Sequence, residues 1–111
     1  MSVELVEKYR EHLILERNLA ENSIRAYLVD LESLLAHINA MGVNEFASLT
    51  SDHLRSWLAN LQSKGAARSS VIRKVASIKA FTYWAAKNRW LERDIGLDLM
   101  APKPHRTLPK T

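Results

Sequence analysis

Proline is absent from the first 101 residues, and glycine interrupts the chain only at Gly42, Gly65 and Gly96. A chain so poor in breakers has long stretches with no local reason to leave a helix, and each glycine stands where a helix would end. Period-two alternation over four or more residues is hard to find, so no strand is expected. The residues between breakers carry helical spacing instead. Ile24, Tyr27, Leu28, Leu31, Leu34, Leu35 and Ile38 follow the i, i+3, i+4, i+7 rule and span about 120° of a helix, wide enough to face a globular core.

The same reading predicts four long helices. The first covers residues 3–17, with Ser2 as its cap and Val6, Tyr9 and Leu13 on one face. A second runs over 21–41. A third starts after a Thr50/Ser51 cap, ends at Gly65 and buries Leu54, Trp57, Leu58 and Leu61. The fourth runs from about Ser69 to Lys87, with Val71, Val75, Ile78, Thr82 and Ile72 on its core side. Beyond Trp90 the pattern decays to a short helical turn around 91–99. The stretch APKPHRTLPKT then places three prolines in a row of basic residues, an extended segment of linker type. The expected division is therefore a helical domain over 1–88, followed by a turn and a Pro-rich basic linker over 89–111.

With 111 residues the chain has the length of one domain, able to bury roughly 60–70% of its unfolded surface. It has no cysteine, which removes disulfides, thiolate chemistry and cysteine-held zinc together. No apolar run approaches the ~20 residues needed to cross a bilayer, and Met1-Ser2-Val3-Glu4 lacks the order of a secretion signal. A cytoplasmic protein with no membrane partner is the expectation.

Charge is unevenly spread. Residues 1–50 carry four Lys/Arg against eight Asp/Glu, whereas 51–111 carry twelve against four. From Lys64 to Arg93 there are eight cations and one carboxylate, Glu92. On a helical wheel Arg73, Lys74 and Ser77 fall within about 60° of Ser70, a stripe of cations and small hydroxyls without an acid. Helices built only for solubility usually interleave Glu with Lys at four-residue spacing, whereas small residues beside long cations suit close approach to phosphates and base edges; a solvated basic face is the other reading of the same residues. Asn22, Arg25, Ala26 and Val29 form a weaker patch of the same kind on the second helix, with Glu21 and Asp30 nearby expected to repel a polyanion.

These stretches resemble one family. NLAENSIRAYLVDL (18–31) is similar to the opening signature of Xer-type tyrosine recombinases, and RSSVIRKVASIKAFTYW (68–84) to that family's fourth-helix signature. APKPHRTLPK (101–110) resembles the linker joining its two domains. The order Ala101-Pro102-Lys103 points to the XerC-like branch. The resemblance implies a core-binding domain: all-α, a four- to five-helix orthogonal bundle of SAM-like fold. Such a domain covers one face of double-stranded DNA at an inverted-repeat half-site, within a recombinase tetramer in the bacterial cytoplasm and nucleoid. Carried over by position, contacts would come from Asn22, Ser23 and Arg25, then Arg68, Ser69, Ser70, Arg73, Lys74, Ser77 and Lys79, and from Lys103, Arg106 and Lys110 along the linker. Two departures stand out. Ala20 replaces a serine cap, and Arg93-Asp94-Ile95 replaces an asparagine-proline pair.

The resemblance also implies a catalytic domain starting near Leu108, so this stretch is expected to hold no catalytic residue and to cut no DNA by itself. Tyr9, Tyr27 and Tyr83 read as core or boundary aromatics. His12, His37, His53 and His105 read as surface histidines, with no spacing that suits a metal. No Gly-rich phosphate loop or Ser/His/Asp order is present, so neither cofactor nor small-molecule ligand is expected. Two other functions fit the same residues: a helical protein-interaction module, and a small stand-alone DNA-binding regulator.

Overall fold

The computed structural model describes residues 3–100, and within them every regular element is helical. Helix α1 spans Val3–Glu11 and continues as one wider π turn over His12–Glu16, where the Arg17 N–H reaches the His12 carbonyl at 3.1 Å. The expected cap Ser2 lies outside the described residues. Helix α2 is Glu21–Ala40, α3 is Ser51–Ser63 and α4 is Arg68–Lys87. Single 3-10 turns follow at Phe46–Ser48 and Ile95–Asp98.

The helix ends follow the glycines. Gly42 and Gly65 adopt φ of +92° and +89° after α2 and α3, the left-handed turn that closes a helix at no steric cost to glycine. Behind them Val43 donates to the Ile38 carbonyl and Ala66 to that of Leu61. Helix α4 closes in the same way without glycine: Arg89 takes φ of +67°, and Trp90 donates to the Ala85 carbonyl at 2.8 Å.

One core joins all four helices. The α2 stripe is buried from Leu31 to Ile38, with Ile24, Tyr27 and Leu28 partly buried against it. Leu5, which the first-helix pattern does not single out, is fully buried beside Tyr9 and Leu13. Tyr9 meets Phe81 and Trp84 of α4 with ring centroids 5.0 Å apart. Trp57 of α3 packs inward and donates its indole N–H to Ser33 of α2 at 3.0 Å, satisfying the polar end of a large buried ring.

The segment after α4 does not leave the bundle where the sequence pattern fades. Leu91, Ile95 and Leu99 are all buried in the core. Lys79 of α4 donates its ammonium to the Leu99 carbonyl at 2.9 Å, and Arg55 of α3 reaches the Asp98 carbonyl at 3.3 Å. Gly96 sits so close to α4 that a Cβ there would meet the Thr82 hydroxyl at 2.2 Å. Short turns have no helical period, which is why three well-spaced apolar residues read as decay.

Candidate nucleic-acid interface

Helices α2 and α4 pack directly against each other, and a charged cluster ties them. Asp30 of α2 has a side chain only 2% exposed; Lys74 Nζ lies 2.8 Å from its Oδ1, and Arg73 Nη1 lies 3.5 Å from its Oδ2. The two cations stand differently toward solvent: Arg73 is 56% exposed and Lys74 is 18% exposed. The expectation that Asp30 would repel a polyanion is corrected by this geometry. Its charge is buried and already matched by two cations. On the wheel Asp30 lies about 40° beyond Leu34, at the edge of the α2 stripe, and that edge faces α4.

The polar stripe of α4 is shorter than its sequence suggests. Arg68 and Ser69 are exposed, Ser70 is half-buried and Arg73 is exposed, but Ser77 is only 5% exposed. Ser77 therefore drops out of the accessible face. Phe81 and Trp84 fall within about 40° of Ser70 on the wheel, yet both are buried. One side of α4 thus passes from solvent to core along its length, and Ser77 lies past the crossing point. Lys79 also departs from expectation: it lies opposite Ser70 on the wheel, and its ammonium is engaged by the Leu99 carbonyl. Lys103, Arg106 and Lys110 lie outside the described residues.

On α2, Asn22, Ser23 and Arg25 are all exposed. Arg25 is 3.6 Å from Glu21 in a largely exposed i, i+4 pair, a contact weak enough to be exchanged for another anion. The starts of α2 and α4 share a feature. Each has an alanine at the N-cap, Ala20 and Ala67, in extended conformation and without a side-chain cap. Helix α3 differs, with a capping box in which Thr50 N–H donates to His53 Nδ1 at 2.9 Å. A helix start without a side-chain cap is a place where an anion can bind.

Three of the histidines make local side-chain contacts, and His105 lies outside the described residues. His53 completes the α3 cap, His37 is bonded to Ser56 at 2.9 Å, and His12 pairs with Glu16 at 2.9 Å. Among the described residues no group of three metal-ligating side chains comes together, and no helix is long and apolar enough to cross a membrane. Tyr9 is buried among α4 aromatics, whereas Tyr83 is largely exposed with the Lys87 ammonium over its ring.

Residues 6–89 match the family described as phage integrase, N-terminal SAM-like domain. The chain belongs to this family. As a SAM-like integrase domain, it is 40% identical over 105 residues to the tyrosine recombinase XerC of Mycobacterium leprae. It is 39% identical to the XerC of Mycobacterium tuberculosis and 36% identical to that of Mycobacterium sp. strain KMS. These matches cover 95% of the chain but only 35% of each relative, so the chain spans about a third of their length. No solved structure matches it. The SAM-like assignment and the all-helical bundle agree with the resemblance found in the sequence.

Proposed function

We propose that this SAM-like domain holds double-stranded DNA with the amino-terminal halves of α2 and α4, as the DNA-gripping part of a tyrosine site-specific recombinase. One observation carries the reading. Two helices that pack together through Asp30 both begin uncapped, and both present small polar residues and arginine near those starts. The contact residues on this reading are Asn22, Ser23 and Arg25 on α2 and Arg68, Ser69, Ser70 and Arg73 on α4, with Lys103, Arg106 and Lys110 following the phosphates. Lys74 stands behind that set, held by Asp30. Arginine can fork onto a phosphate or a guanine edge, while serine and backbone N–H groups fix register on the sugar-phosphate chain.

Relatives named tyrosine recombinases support placing this activity in recombination. In that setting the target is one half of a short inverted repeat in bacterial DNA, with other protomers occupying the remaining sites. Chromosome-dimer resolution and element integration both use such an arrangement.

The test is a titration of the chain against a labelled duplex at several salt concentrations. Affinity should fall linearly in log–log form with a slope of about −0.9 per phosphate contacted. Amide shifts should gather at residues 22–25 and 68–73. Absence of binding at ~50 mM salt, an affinity indifferent to salt, or shifts confined to acidic α1 would refute the reading.

A further inference from the structure

Asp30 does more than join two helices. A single carboxylate has two cationic neighbours, so one positive charge is in surplus. The geometry says which. Lys74 makes a 2.8 Å hydrogen bond to Oδ1 from a side chain that is 18% exposed, whereas Arg73 lies 3.5 Å from Oδ2 with a side chain that is 56% exposed. Oδ2 is buried and accepts no hydrogen bond, so the guanidinium approaches without closing a bond. Removing Lys74 would strip a buried anion of its hydrogen-bonded partner, which low-dielectric surroundings oppose strongly. Moving Arg73 away costs far less, because its side chain is already more than half exposed and makes no hydrogen bond to the carboxylate.

We infer that Asp30 is a positioning residue that sorts the two cations of α4: it retains Lys74 inside the protein and holds Arg73 at the edge of the face until a DNA phosphate takes the guanidinium over. This rests on the DNA-binding reading above. It assigns unequal roles to neighbours that look equivalent in sequence. Lys74 and Asp30 cancel, so Lys74 releases no counterion from DNA, while Arg73 releases one.

The experiment uses the 111-residue chain and a labelled duplex of random sequence, with dissociation constants measured between about 50 and 200 mM salt. Arg73→Gln should flatten the salt slope by about 0.9, which makes the affinity loss across that range about 3.5-fold smaller. Asp30→Asn/Lys74→Met, which removes the neutral pair together, should leave the slope as it is. Asp30→Asn alone should steepen it by about 0.9, because Lys74 is then released toward a phosphate. A double-variant slope as flat as that of Arg73→Gln, or an unchanged slope in folded Asp30→Asn, overturns the sorting role.

Should either core-facing variant fail to fold, the wild type itself decides through side-chain NMR. On adding duplex the Arg73 Nε–H resonance should move while the Lys74 Cε–H resonance stays, and the opposite pattern overturns the inference. A wild type that binds no duplex refutes the DNA reading and this inference together, whereas a wild type that binds while all three variants share its slope refutes the sorting alone.

Discussion

Lys74 of α4 donates a 2.8 Å hydrogen bond to Asp30 of α2, a carboxylate ten residues into that helix and almost completely shielded from water. The pair fixes how the two helices lie against each other, and it divides two adjacent basic residues into one that belongs to the fold and one that faces outward. Lys74→Ala should therefore destabilise the domain by about 3 kcal/mol, the lower end of the cost of orphaning a buried charge, because water can enter the vacated space. Arg73→Ala should cost below about 1 kcal/mol. Urea unfolding of the two variants checks the contrast, and equal losses would contradict it.

Tyr9 carries its hydroxyl into the core without a hydrogen-bond partner, and burial pushes that hydroxyl far above its ordinary pKa. A buried polar atom without a partner is a liability. Tyr9→Phe keeps the ring against Phe81 and Trp84 and removes the orphan, so stability should hold or rise by up to about 1 kcal/mol. A clear loss in urea unfolding would mean that the hydroxyl is bonded in solution. Such a group is poorly placed to act as a nucleophile.

Gly96 rests against the side of Thr82, a fully buried residue of α4. Gly96→Ala would drive a methyl into the Thr82 hydroxyl, and overpacking of this kind costs about 1–3 kcal/mol. Thr82→Ala should restore much of the loss in the double variant, while Thr82→Ser, which keeps the oxygen, should not. Thermal melts of wild type, the two single alanine variants and their double variant give the coupling energy directly. Additive effects would show that the two positions do not meet.

The Arg93 guanidinium, hydrogen-bonded to Asp98, holds that carboxyl below the ordinary aspartate value of 3.8. A depressed folded pKa contributes stability above the unfolded value and loses it as pH falls through the folded one. Wild type should melt above Asp98→Asn near neutrality, and the gap should close as pH drops below 3.8. A gap that persists in acid would place the effect elsewhere.

The helices were legible because their signals are local. Glycines at 42 and 65 mark the ends, and the α2 stripe faces one core along most of its length. The face of α4 was only half legible, for a reason visible at Ser77. A wheel assumes one neighbour on one side, but α4 contacts α2, α3 and the Ile95–Asp98 turn and also meets Tyr9. Its buried arc therefore widens toward Trp84, and a hydroxyl in the polar stripe ends up inside. Asp30 reads in the sequence as a repelling surface charge for the converse reason: an acid beside an apolar stripe looks solvated until the cations that neutralise it, more than forty positions later in the chain, are brought across by folding. Leu91, Ile95 and Leu99 follow no repeat that a sequence scan rewards.

The bond between Lys79 and the Leu99 carbonyl has a mechanical consequence. Lys79 lies six residues beyond Arg73 on one unbroken helix, about 9 Å along a stiff axis. The heading at which the backbone arrives at Met100 is thereby latched to the rod whose other end carries Ser69 and Ser70. A tilt of that rod at its serine end therefore shifts the point to which residue 99 is tethered.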